Sequence, residues 1–162
     1  MSTISPLAFV HPEAQLGNKV IVEPFAYVAK NVIIGDNTVV MPNATILSGA
    51  RIGANCTSFP NATISAIPQD LKFAGEETVA IIGDNTTVRE SVTVNRGTAS
   101  RGSTEVGNNC LLMAYSHVAH DCVLKDFVIL GNSTQLAGEV EIDDYAIISG
   151  GTLAHQFTRI GA

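Results

Sequence analysis

Residues 117–122 read His-Val-Ala-His-Asp-Cys, which places two imidazoles and a carboxylate within six positions. Imidazole titrates near pH 6.5, so a neutral histidine can accept a proton at physiological pH. A carboxylate beside it can fix its tautomer and steady the imidazolium that forms. His120 next to Asp121 has the composition of such a base and its orienting partner, with His117 on their other side. Proton abstraction is therefore the chemistry to test, and the question becomes what holds these groups in place.

The answer lies in a six-residue rhythm. From Val10 an aliphatic residue recurs every sixth position through Leu16, Val22, Val28, Ile34, Val40, Ile46 and Ile52 to Ile64, with Ser58 the exception. It resumes at Ile82, Val88 and Val94, then runs from Val106 to Ile160 with Ala154 the exception. Four residues after nearly every lead stands a small residue, such as Ala44, Cys56, Thr86 or Cys122. Gly, Asn or Asp recurs just after the leads, as turns require. A period of six matches neither an amphipathic helix at 3.6 nor strand alternation at 2. It matches a short strand plus a turn, repeated, which predicts an all-β parallel β-helix. Two interruptions, near 65–81 and 95–105, carry Pro, Gly and charge where leads are due, yet the phase returns after each. They are expected to be loops that leave the scaffold and rejoin it. The pattern resembles the hexapeptide repeat. That resemblance implies a left-handed helix of triangular section with three hexads, or about 18 residues, per coil, in a single domain over 1–162.

A coil of that length converts spacing into neighbours. Gly138 should lie over His120 and Gln156 over Gly138, with Glu139 and His155 beside them. His117, His120 and His155 then converge on one edge, while His11 stands apart near the first coil. The phase turns Val118 and Cys122 inward and leaves His117, Ala119, His120 and Asp121 at outward or corner positions. His120 and Asp121 are thus expected on an open edge rather than in the interior. Gly138 would bring a bare backbone N–H to the reacting atom, as an oxyanion donor must. Cys122 points into the core and is not expected to be a nucleophile.

The totals narrow the field. A chain of 162 residues suffices for one domain with a real core. No apolar run approaches the roughly 18 residues of a membrane span. The N-terminus lacks the basic and apolar regions of a signal peptide, which points to the cytoplasm. Three cysteines with no CxxC spacing read as buried thiols rather than a disulfide frame or zinc site. A net charge of -6 argues against nucleic acid as partner.

The segments "LLMAYSHVAHDC", "NSTQLAGEVEIDDYAIISGGTLAHQF", "IPQDLKFAGE" and "IGDNTTVRESVTVNRGT" span most of the chain. Together they closely resemble the bacterial UDP-N-acetylglucosamine O-acyltransferases of lipid A synthesis. The resemblance implies transfer of an (R)-3-hydroxyacyl group from acyl carrier protein to the sugar 3-hydroxyl, in a homotrimer with sites between subunits. It implies His120 as general base, Asp121 as its orienter and Gly138 as backbone oxyanion donor. His117 resembles a substrate-positioning residue, His155 and Gln156 match a site motif, and Gln69, Asp70 and Lys72 correspond to nucleotide-sugar contacts. No metal or cofactor is implied. Two positions depart from the family: Glu139 stands where a histidine is usual after "LAG", and Asn95 stands where one is usual before "RGT". Glu139 is expected still to accept hydrogen bonds from sugar or a neighbouring side chain. The resemblance also predicts further coils and a C-terminal helical domain beyond the final hexad at Ile160. Two alternatives are a metal-dependent carbonic-anhydrase-like enzyme using His117, His120 and His155, and a truncated, inactive scaffold of the acyltransferase.

Overall fold

The computed structural model describes residues 1–161 and, within them, 24 short strands and no helix. The strands, numbered in chain order from β1 (Thr3–Ile4) to β24 (Arg159–Ile160), are mostly two residues long. Every third strand joins the same sheet, giving three parallel eight-stranded faces of a left-handed β-helix. The ordinary step between paired residues is one coil of 18, as from His117 to Gln135 and on to Leu153.

The six-residue rhythm is the packing code. Leads from Val22 through Ala154 are buried, whereas Val10, Leu16 and Ile160 in the end coils are only partly covered. Small residues fill the corners between them, because three faces meeting at a tight axis leave no room for larger groups. Corners turn through residues with positive φ, which recur every six positions from Lys19 to Asn61 and from Asn109 to Phe157. Asn supplies many of these, since its short amide side chain tolerates the left-handed region.

One corner is stapled on both sides. Inside, Thr38 and Thr86 donate Oγ1–H to Gly53 and Gly107 carbonyls at 2.8 Å. Cys56 and Cys110 donate Sγ–H to Gly83 and Lys125 carbonyls at 3.0 and 3.2 Å. The cysteines are free and buried, small hydrogen-bonding fillers as the sequence predicts. Outside, Asp36, Asp84, Asn108, Asp126 and Asp144 each offer Oδ1 to an amide of the preceding coil at 2.7–2.8 Å.

Both interruptions are shorter than the sequence suggests. Strand β11 (Thr63–Ala66) carries the helix into the first, and β12 (Val79–Ile82) carries it out, so the excursion is 67–78. Strand β14 (Thr93–Asn95) and strand β15 (Ser103–Val106) likewise confine the second to 96–102. The polar residues at their margins still pair: Val79 and Ala80 lie opposite Ser103 and Thr104. No helix of the described residues is long and apolar enough to cross a membrane.

Candidate active site

Strand β17 (His117–Val118) sits between β14 and β20 (Gln135–Leu136), so Thr93, His117 and Gln135 form an outward column. The chain then turns through Ala119, His120 and Asp121, the last at φ 62°. Here the sequence expectation needs correction. His120 is only 9 % exposed and Asp121 is fully buried, not on an open edge. Phase sets the direction of a side chain but cannot show what folds over it. The 96–102 loop does so: Thr98 N and Arg101 N donate to Asp121 Oδ1 at 3.0 and 3.2 Å, and Thr98 Oγ1 donates to Oδ2 at 2.6 Å. Glu76, from the 67–78 excursion, accepts Ala99 N and ties the two loops together.

His120 Nδ1 lies 2.8 Å from Asp121 Oδ2. Burial pushes the Asp121 carboxyl up, but hydrogen bonds from Thr98 and His120 outweigh it and hold the group below the usual carboxylate range. An ionised Asp121 accepts the Nδ1–H of His120, which leaves Nε2 with the free lone pair. That edge of the ring rests on Gly138, one coil along. A Cβ there would come within 2.5 Å of His120 Cε1 and 2.7 Å of Nε2, so any larger residue would displace the ring. Glu139 N donates to His120 O, locking the two corners in register. Among the described residues the Gly138 amide has no backbone acceptor.

Two clefts meet here, and His120 is the residue they share. The first, about 380 Å³, carries no carboxylate or Lys/Arg side chain and is lined by Gln69, Asn95, His117, Ala119, Ala137 and Leu153 among others. The second, about 440 Å³, is charged, with Asp70, Lys72, Glu76, Glu139 and Gln156 on its walls. Gln69, Asp70 and Lys72 therefore reach the site but separate, Gln69 to the uncharged side and the other two to the charged side. Glu139 Oε1 accepts from Ser100 Oγ at 2.9 Å. His117 Nδ1 lies 2.7 Å from Thr93 Oγ1, and burial holds its imidazole below the ordinary histidine value.

His155 is not drawn in. It is exposed and lines neither cleft, and its ring Nδ1 lies 3.2 Å from the Gln156 carbonyl. Three histidines do not converge, and no group of three His, Cys, Asp or Glu among the described residues is arranged to hold a metal ion. Burial pushes the Cys122 thiol up to about 11, and its Sγ donates to Ala137 O, so it is inert at neutral pH. The sequence reading missed Thr98 and Ser100, and treated Asn95 only as a departure. Following the register across the second loop, from Val94 to Val118, would have placed Asn95 over Ala119 beside the base.

The pattern of the bacterial transferase hexapeptide family (six repeats) matches residues 13–48, 31–57 and 103–138, half of the chain in all. An acyl-[acyl-carrier-protein]--UDP-N-acetylglucosamine O-acyltransferase of Ectopseudomonas mendocina is 55% identical over 100% of this chain and 63% of its own length. The crystal structure of LpxA, a UDP-N-acetylglucosamine acyltransferase from Bacteroides fragilis, superposes with a TM-score of 0.95 at 59% identity, covering 96% of this chain and 61% of that one. LpxA from Acinetobacter baumannii superposes at 0.97 with 34% identity, covering 99% and 63%. The chain spans about three-fifths of the length of these relatives.

Proposed function

The chain belongs to the bacterial transferase hexapeptide family, and from that membership we propose an acyltransferase acting in lipid A synthesis. It moves an (R)-3-hydroxyacyl group from acyl carrier protein to the 3-hydroxyl of UDP-N-acetylglucosamine. The observation that carries this reading is the Asp121–His120 pair, whose free ring edge lies against Gly138 where two clefts join. Relatives similar along the whole chain bear that activity in their names, which supports the choice of substrates.

The sugar occupies the charged cleft beside Asp70, Lys72 and Gln156, and the acyl chain occupies the uncharged one beside His117 and Gln69. His120 Nε2 removes the proton of the sugar 3-hydroxyl, and the oxygen attacks the thioester carbonyl. The Gly138 N–H donates to the oxyanion of the tetrahedral intermediate. As the C–S bond breaks, the imidazolium returns its proton to the departing carrier thiolate, leaving a sugar ester and a free thiol. Base, donor and juxtaposition of reactants supply the catalysis.

The active unit is a homotrimer in the cytoplasm, where the carrier thioester is available. One sheet face supports self-association: its outward column of Thr3, Ile21, Val39, Thr57, Thr87, Leu111, Ile129 and Ile147 has no charge over eight coils. Incubation with UDP-N-acetylglucosamine and 3-hydroxyacyl carrier protein, followed by mass spectrometry, tests the function. A mono-acylated nucleotide sugar and free carrier thiol are expected. Hydrolysis of the thioester without sugar acylation would refute the reading.

A further inference from the structure

Asn95 is 3 % exposed, yet its Oδ1 is buried without a hydrogen-bond partner among the described residues. An unpaired buried carbonyl costs free energy that a bound donor can recover. The atom's surroundings say where such a donor would come from. Asn95 lines the uncharged cleft together with His117 and His120. Continuing the β14–β17–β20 register puts Asn95, Ala119 and Ala137 in one column. From Asn95 to Ala137 the column runs about two coil steps, roughly 10 Å at the usual strand spacing, and its two alanines make a shallow apolar floor. Asn95 closes one end of that floor, and His120 and Gly138 stand beside it. A slot of this kind suits a chain of CH2 groups with a single polar branch close to its reacting carbonyl.

We propose that Asn95 is the residue that selects acyl donors bearing a 3-hydroxyl, its Oδ1 accepting that hydroxyl's hydrogen while the chain lies over Ala119 and Ala137. This rests on the acyltransferase reading and adds to it a specificity determinant. The hydroxyl stands two carbons from the thioester carbonyl, so a carbonyl held between His120 and Gly138 brings it to the adjacent coil, where Asn95 sits. A plain acyl chain would leave Oδ1 unpaired in the complex, and sites built to meet a substrate hydroxyl reject analogues that lack it. Because an amide does not titrate, the preference does not vary with pH through this residue.

The test compares kcat/KM for 3-hydroxyacyl and unsubstituted acyl carrier thioesters of equal length, in the unmutated chain and in Asn95→Leu. Asn95→Ala serves as the smaller replacement, with circular dichroism melts to verify folding. The proposal predicts that the hydroxyacyl-to-acyl ratio falls about tenfold or more in the variants. Removing an orphaned polar group should leave the melting temperature unchanged or raised. A ratio that stays within twofold overturns the assignment whatever the absolute rates. A larger KM for the nucleotide sugar at constant ratio overturns it too, in favour of a sugar contact. Transfer from neither donor by the unmutated chain would instead strike the acyltransferase reading, and this assignment with it.

Discussion

Asp121 bears the greatest demand on a single side chain. Its carboxylate accepts from Thr98 twice, from Arg101 and from His120, so it orients the base and anchors the covering loop at once. Asp121→Asn keeps the shape but loses the charge that holds the Nδ1–H tautomer; acyl transfer should drop at least about tenfold in steady-state assays. The same carboxyl makes the fold acid-sensitive. Because its native affinity for a proton is depressed, the unfolded chain binds more protons between that lowered value and the ordinary Asp value of about 3.9. Stability from this group is complete above that window and is lost as pH falls through it. Thermal melts from pH 6 down to pH 3 should therefore show a steeper loss for the unmutated chain than for Asp121→Asn. His117 is likewise depressed, chiefly by burial, so its NMR titration midpoint should lie below that of free imidazole. A midpoint above about 6.5 would contradict the lowered value expected of this half-buried ring.

At the scale of elements, the six-residue repeat makes stability a sum over stacked coils. Leu130, the fully buried lead of β19 (Ile129–Leu130), should cost about 2–5 kcal/mol on truncation to Ala. Val10 in the first coil is only partly covered and should cost distinctly less; denaturant melts of the two variants check the gradient. The strands and core were legible because a two-residue strand and its corner repeat without change of phase, so one residue type per position carries the information. The site was legible only in part. Phase and coil length put His120 against Gly138 and turned Cys122 into the core, where it lies. They could not reveal that Thr98 and Arg101 fold back to bury Asp121, since loops obey no period. His155, placed on the same edge by the coil length, is exposed and lines neither cleft, although its neighbours Ala154 and Gln156 do. Asn95 was seen as a departure rather than as an orphaned acceptor, because an unpaired atom exists only once its neighbours are placed.

For the whole molecule, the prism supplies a rail on which loops from two interruptions meet one corner, and the proposed trimer would pack copies against the uncharged column of one face. Light scattering on the purified chain should give the mass of three copies, and Ile129→Lys on that face should reduce it toward one. Binding of UDP-N-acetylglucosamine should raise the melting temperature, as any ligand preferring the native state must. The central claim is that His120, held by Asp121 and laid against Gly138, removes the proton from the sugar hydroxyl. It is tested most directly by the rate of 3-hydroxyacyl transfer in His120→Ala beside the unmutated chain, both verified as folded by circular dichroism. The account predicts a loss of about 10²-fold or more with the fold retained. A folded His120→Ala chain that turns over at near-normal rate would contradict it.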